Sequence, residues 1–299
     1  RAQDLIDQGK LHLDAVQITA LDEADQMADM GFLPQVRKLM RLTPAQGQRL
    51  LFSATLDGDV NKLVEQFLHN PVVHSTAPVQ AAVDSMSHHL FFVGERPARN
   101  EVVLRIAARP GKTIMFMRTK HGVDRQVKKL RRSGINAYPL HGDKGQGART
   151  RAIEGFADGS IPVLVATDIA ARGIDIADVS LVVHVDPPAE HKAYLHRAGR
   201  TARGGAAGTV VTLVMDEQRK EVAALIKKAG VTAAEHDISH RDNPAGAPIL
   251  KEITGARKPN GPALPPPGQA APQKPAQPVK KSNSQRRRSG GKGARRRRR

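Results

Sequence analysis

The residues with the clearest chemical potential are His196-Arg197-Ala198-Gly199-Arg200-Thr201-Ala202-Arg203. Three arginines spaced three apart place several guanidinium groups on one side of a short helix or turn, each a fixed fork of donors suited to phosphate oxygens. Alone, such a cluster also reads as a solvated basic surface. A second charged motif, Leu21-Asp22-Glu23-Ala24-Asp25, weighs against that reading, because its acids call for a cation. Acids that hold magnesium and arginines that hold phosphate are the two halves of a nucleoside triphosphate site. Asp22 and Glu23 close a predicted strand, where ligands of open α/β sheets gather. A helix N-terminal acid cluster is the alternative.

Other segments combine strand ends with polar groups. Ser53-Ala54-Thr55 follows a strand, and helix capping by Ser53 or Thr55 is its plain alternative. Thr167 and Gly173, also after a strand, offer a hydroxyl and a bare backbone N–H to a phosphate. Asp175 is placed to accept from a ribose hydroxyl. Asp168 and Arg172 have the option of an internal ion pair. His141-Gly142-Asp143 with Gln146 and Arg149 opens a helix, a setting suited to RNA phosphate. His141 alone reads as structural. Phe116 reads as core. Gly111-Lys112-Thr113 imitates the end of a GxxxxGKS/T phosphate loop. Position 106 is Ile, however, and the triplet precedes a strand, so no backbone cradle is expected there. His236 and His240 have a metal-like spacing without a third ligand.

These groups need strands to position them. Residues 1–76 read as part of an α/β domain, with helices at 1–9, 31–42 and 59–68 and strands at 16–21 and 49–52. Two strands are too few for a complete doubly wound sheet. Residues 77–87 read as a linker. Strands at 89–93, 113–117, 136–140, 163–166, 181–185 and 209–214 then alternate with helices at 96–108, 120–132, 145–158, 191–198 and 217–229. Short Val/Ile/Leu-rich strands between helices argue a mostly parallel sheet covered on both faces, over residues 88–232.

The chain has 299 residues, 47 Lys and Arg against 29 Asp and Glu, and a formal net charge of +18. That balance favours a polyanion partner. Residues 241–299 hold sixteen basic and two acidic residues, so +14 sits in the tail. Half of the twenty prolines fall there, and no Phe, Tyr or Trp follows Tyr194. Residues 233–299 therefore read as a disordered basic tail, serving solubility or electrostatic RNA attachment. Ribonucleoprotein partners are expected through it. Zero cysteines exclude disulfides and fit a cytoplasmic setting. No apolar run is long enough to cross a bilayer, and no signal-peptide pattern opens the chain, which starts inside a domain at Arg1.

Asp22-Glu23-Ala24-Asp25 and the arginine motif together resemble the DEAD-box family of ATP-dependent RNA helicases, over roughly residues 1–230. The family usually has Gly where this chain has Ala202. The resemblance implies two RecA-like lobes, the first partial and the second complete, that close over ATP and RNA. It implies Asp22 as the magnesium residue, acting through water, Glu23 as the water-positioning residue, and Arg200 and Arg203 as arginine fingers. Asp25, Ser53, Thr55, His196 and Arg197 would couple hydrolysis to duplex opening, and Asp175 would contact the ATP ribose. RNA backbone contacts would fall to Thr119, Lys120, Gly142, Asp143, Gln146, Arg149, Thr167 and Gly173. The family's phosphate loop and adenine-reading segment lie upstream of the portion matched here, so these 299 residues alone are expected neither to bind ATP well nor to unwind RNA. An ATP-independent RNA-binding or annealing module is the alternative.

Overall fold

The computed structural model describes residues 1–56, 58–75, 86–171, 176, 178–203, 206–240 and 243–268. The chain divides into two units, residues 1–87 and 88–299.

The first unit contains α1 (Ala2–Asp7), β1 (Ile18–Leu21), α2 (Ala24–Asp29), α3 (Leu33–Arg41), β2 (Gln48–Leu51) and α4 (Gly58–Phe67). β1 and β2 pair in parallel, Ile18 opposite Gln48 and Leu21 opposite Leu51. α3 turns Leu33, Val36 and Met40 inward against Leu63 and Phe67 of α4, with Leu21 and Leu51 packed beside them. This is the period-3.6 stripe of two amphipathic helices covering one side of a ribbon. Both strands alternate exposed and half-buried residues, and Ile18, Leu50 and Phe52 remain exposed. The unit is thus a two-stranded part of an α/β lobe.

The second unit is built on seven strands: β3 (Met86–Gly94), β4 (Lys112–Phe116), β5 (Ala137–Leu140), β6 (Val163–Ala166), β7 (Val179–His184), β8 (Gly208–Met215) and β9 (Ala234–Asp237). Their spatial order is β5-β6-β4-β7-β8-β3-β9. The pairings β5–β6, β6–β4, β4–β7, β7–β8 and β3–β9 are all parallel. Between them run α5 (Arg96–Ala107), α6 (Lys120–Arg132), α7 (Gln146–Ala157), α8 (Asp168–Ala171), α9 (His191–Ala198) and α10 (Arg219–Ala229), and α11 (Pro248–Thr254) follows β9. Val102, Val103 and Ile106 of α5 and Val123, Val127 and Leu130 of α6 bury against Phe91, Met115, Val165, Val183 and Val211 of the sheet. All four residues of β6 are buried, as a strand covered on both faces requires. This is the mostly parallel, doubly covered sheet that the strand–helix alternation predicts, and the RecA-like lobe that the resemblance implies. Several elements agree with the sequence reading to the residue, namely β6, α6 and α9.

The fold also continues past residue 232, where the sequence placed the start of a disordered tail. β9 adds to β3 with Ala234 opposite His89. Ile238, Ala245, Ala247, Leu250 and Ala256 enter the same core as α5 and α6. Arg109 Nε donates to the Thr254 carbonyl at 2.6 Å, and Leu264 N–H donates to the Arg131 carbonyl at 2.8 Å. The proline content that suggested disorder is compatible with an extended strap, which needs few internal hydrogen bonds when the surface beneath supplies partners. Residues 269–299 lie outside the described residues.

Candidate functional site

In the first unit, β1 ends at Leu21 and the chain turns at once into α2. Glu23 makes that turn in the left-handed region, at φ 53° and ψ 47°. A residue with a Cβ is strained there by on the order of 1 kcal/mol. Asp22 Oδ1 accepts from the Glu23 N–H at 2.9 Å, which fixes the turn, and Asp22 is exposed. Asp25 is 1% exposed. Its N–H donates to Ser53 Oγ at 3.1 Å, and Ser53 Oγ donates onward to the Thr55 carbonyl at 2.6 Å. The Ala24 N–H donates to the Phe52 carbonyl at 3.1 Å. The loop after β2 is thereby tied to the acids after β1, through parallel strands that end at the same edge. Ser53 does not cap α4, which begins five residues later at Gly58. Asp25 Oδ2 and Thr55 Oγ1 are buried with no hydrogen-bond partner among the described residues. Unmet acceptors of this kind cost free energy unless a further partner arrives.

In the second unit the parallel pairing brings the ends of β4, β5, β6 and β7 to one edge. Thr119 caps α6, accepting from the Gly122 N–H at 3.0 Å. Lys120 Nζ meets Asp143 Oδ1 at 2.6 Å, joining the segment after β4 to the one after β5. The hydrogen bond from Lys120 holds the Asp143 carboxyl below its usual range. Gly142 and Gln146 are exposed, and Gln146 is the first residue of α7. Thr167 N–H donates to the Leu140 carbonyl at 3.1 Å, which sets Thr167 beside the end of β5. His141 is structural, buried with its Nε2 3.1 Å from Asp124 Oδ2. Burial raises the Asp124 carboxyl, but hydrogen bonds from Lys144 and His141 outweigh it and leave it lowered. Gly111-Lys112-Thr113 forms no cradle: Lys112 opens β4 and its Nζ donates to the Ala157 carbonyl at 2.8 Å. Gly173, Asp175 and Arg172 lie outside the described residues.

The arginine motif occupies α9 and the turn after it. Arg197 is 3% exposed and clamps Asp168 with two parallel bonds, Nε to Oδ1 at 2.5 Å and Nη2 to Oδ2 at 2.9 Å. Its Nη1 donates to the Asp186 carbonyl at 2.8 Å, and its guanidinium lies 5.1 Å from the Phe116 ring centroid. Asp168 therefore pairs with Arg197 within this unit. Arg200 Nε donates to the His196 carbonyl at 3.2 Å and Arg203 Nε to the Gly199 carbonyl at 3.0 Å. Both are half-buried. His196 Nδ1 is buried without a hydrogen-bond partner among the described residues.

Asp186 was missed in the sequence. It follows β7, accepts from Arg99 Nη1 at 2.8 Å through Oδ1 and from the Arg118 N–H at 3.0 Å through Oδ2. Its signal was an acid at the carboxyl end of an apolar strand, the same rule that singled out Asp22 and Glu23.

The DEAD/DEAH box helicase family matches residues 1–63, and the helicase conserved C-terminal domain family matches residues 98–205. The ATP-dependent RNA helicase RhlB of Pseudomonas syringae pv. tomato is 38% identical over 234 residues, 77% of this chain and 59% of RhlB. The chain belongs to the DEAD-box RNA helicase family. S. cerevisiae Dbp5 bound to RNA and ADP BeF3 superposes with a TM-score of 0.72 at 29% identity, over 84% of this chain and 66% of Dbp5. The C-terminal domain of the DEAD-box protein Dbp5 gives a TM-score of 0.51 at 28% identity, over 57% of this chain and 99% of that domain. The chain thus spans less than two thirds of the length of RhlB and of Dbp5. No helix among the described residues is long and apolar enough to cross a membrane.

In DEAD-box terms, Ala202 is the notable departure. Its φ is +56°, the left-handed region that glycine enters without strain. This gives a physical reason for the glycine usual there. The substitution costs backbone strain and leaves the flanking arginines in place.

Proposed function

We infer that this chain is the catalytic-edge and C-terminal-lobe portion of an ATP-dependent RNA helicase, which remodels RNA with ATP hydrolysis. The observation that carries the reading is the carboxyl edge of the second unit. Lys120, Asp143, Gln146, Arg149 and Thr167 gather there from three consecutive strand ends, a row of donors and helix starts suited to a phosphate backbone. Contacts of that kind follow the strand without reading its sequence. Thr119 serves first as a helix cap, so its share is to orient Lys120.

Asp22 fits a hydrated magnesium ion, being an exposed carboxylate at a strand end whose backbone is fixed by its own Oδ1. Magnesium-bound ATP supplies the phosphoryl group to be cleaved. Glu23, held next to Asp22 by the left-handed turn, orients the attacking water. Arg200 and Arg203 are assigned to the charge that develops on the phosphoryl oxygens, a role worth about 10³–10⁵ in rate in other enzymes. Arg197 acts by positioning: clamped to Asp168, it holds the end of α9 from which Arg200 and Arg203 project. Asp25, Ser53, Thr55 and His196 carry the coupling. Their support is the Ser53 bridge and the unmet atoms Asp25 Oδ2, Thr55 Oγ1 and His196 Nδ1. Asp175 and Gly173 keep their assigned contacts with ribose and RNA. The setting is cytoplasmic, supported by the absence of cysteine.

The 299 residues by themselves bind ATP weakly and do not unwind RNA. Titration of labelled ATP, with turnover measured with and without RNA, tests this; micromolar affinity with RNA-stimulated turnover overturns it. ATP-independent RNA binding is the second reading, favoured by the gathering of Lys120, Asp143, Gln146, Arg149 and Thr167 within the second unit. Annealing of complementary RNA strands by the chain without ATP supports it.

A further inference from the structure

The second unit also holds a cavity of about 480 Å³ that none of the motifs uses. It lies at the outer edge of the sheet, where β5 is the last strand, between α6, β5, α7 and residues 264–268. Its volume falls within the ~300–1,000 Å³ of small-molecule sites. Tyr138, Leu264, Pro266 and Pro267 give it apolar walls. The cations Lys128, Arg132 and Arg151 also line it and are exposed. Asp124, its one acid, is already paired with Lys144 at 2.8 Å.

The walls are held in place rather than loosely apposed. Arg131 lies 5.2 Å from the Tyr138 ring centroid and donates Nε to the Pro265 carbonyl at 2.5 Å. The Gly268 N–H donates to Tyr138 Oη at 3.3 Å. The strap passes so close to α6 that a Cβ at Gly134 would stand 2.3 Å from the Gly261 carbonyl oxygen. A cavity with this support stands open before a ligand arrives, which lowers the cost of binding.

We propose that this cavity takes one unstacked nucleotide of the RNA strand, its base against Tyr138 and the prolines and its phosphates on Lys128, Arg132 and Arg151. The inference rests on the RNA-binding reading given above. Apolar walls with a cationic rim match a planar base carrying an anionic backbone. The chain's own residues 269–299 are a poor occupant, since they carry twelve Lys and Arg and no acid. Position supports the assignment as well: Ala148, which lines the cavity, sits on α7 between Gln146 and Arg149 of the RNA edge.

The test uses the full chain, a fluorescein-labelled oligouridylate read by anisotropy across a salt series, and a 4-thiouridine oligomer for crosslinking. Lys128→Glu with Arg132→Glu is expected to weaken binding about tenfold and to reduce the salt slope by ~1.4, two phosphate contacts on a single strand. Tyr138→Ala is expected to weaken it at least about fivefold with the slope unchanged, since stacking is not a counterion effect. Should Tyr138→Ala unfold by circular dichroism, Arg151→Glu on the exposed face of α7 replaces it, with a slope reduced by ~0.7. Crosslinks at Tyr138 or residues 264–268 support the site. If Gln146→Ala with Arg149→Ala loses affinity while the cavity variants bind normally and no crosslink reaches the cavity, the proposal falls and the RNA-binding reading stands. An unmodified chain that binds no RNA removes both. Crosslinks absent from the cavity, together with an acidic aromatic peptide bound there, also overturn it.

Discussion

Arg197 and Asp168 form a two-pronged ion pair across 29 residues of sequence, Nε to Oδ1 at 2.5 Å and Nη2 to Oδ2 at 2.9 Å. The arginine is almost wholly buried and the carboxylate is partly open to water. The pair pins the end of α9 to the start of α8, and the remaining arginines of the motif follow from that fixed end.

Asp168→Asn keeps the shape and removes the charge. A buried guanidinium then loses its counter-ion while retaining one acceptor, so the second unit is expected to lose about 1–3 kcal/mol. Urea unfolding checks this through the midpoint at constant slope. A midpoint equal to that of the unmodified chain would show that the pair contributes nothing.

Ser53→Ala removes both the acceptor for the Asp25 N–H and the donor to the Thr55 carbonyl. The loss expected in the first unit is about 1–2 kcal/mol, with faster hydrogen exchange at the Asp25 amide. Ser53→Thr, which retains the hydroxyl, is expected to restore slow exchange. Unchanged exchange in Ser53→Ala would remove the bridge from the account.

Ala202→Gly relieves a left-handed backbone at φ +56°. Relief of about 1–2 kcal/mol is partly offset by the greater freedom of glycine in the unfolded chain. The net expectation is a gain of roughly 0.5 kcal/mol, with RNA affinity unchanged. A clear loss of stability would contradict the strain.

Two buried histidines set an acid limit. His88 Nδ1 lies 2.9 Å from Tyr194 Oη, and His184 Nδ1 lies 3.1 Å from Thr212 Oγ1. Burial, and then the neighbouring His89, lowers His88 to about 4. Burial, followed by Arg197 and His88, depresses His184 well below its ordinary value. The folded state binds these protons less readily than the unfolded chain, so stability is full above pH 6.5 and falls as pH drops from 6.5 toward 4. Asp237, lowered to about 2, has its unfolded value at 3.8 and adds its loss only below that range. Urea midpoints at pH 7.5, 6.0 and 5.0 are expected to fall in that order, and His88→Gln is expected to flatten the decline. A flat profile in the unmodified chain would refute the burial of both imidazoles as neutral groups.

Much of this was legible in the residues themselves. The acids at 22 and 23, the Ser53 and Thr55 segment and the arginine motif sit at element ends, and apolar periodicity locates those ends through local rules of burial on a strand or helix. The same logic excluded Gly111-Lys112-Thr113 as a phosphate cradle, because the triplet opens a strand. Tertiary structure alone decided three matters. It seated residues 234–268 on the second unit, through contacts such as Arg131 to Pro265 and Arg109 to Thr254 whose partners stand more than 130 residues apart. Proline-rich composition reports only that such a segment cannot form a core of its own, not that another surface will receive it. It gave Asp168 to Arg197, and it placed Ala202 in the left-handed region. Each depends on which atoms the folded backbone brings within hydrogen-bond reach, and no spacing along the chain encodes that.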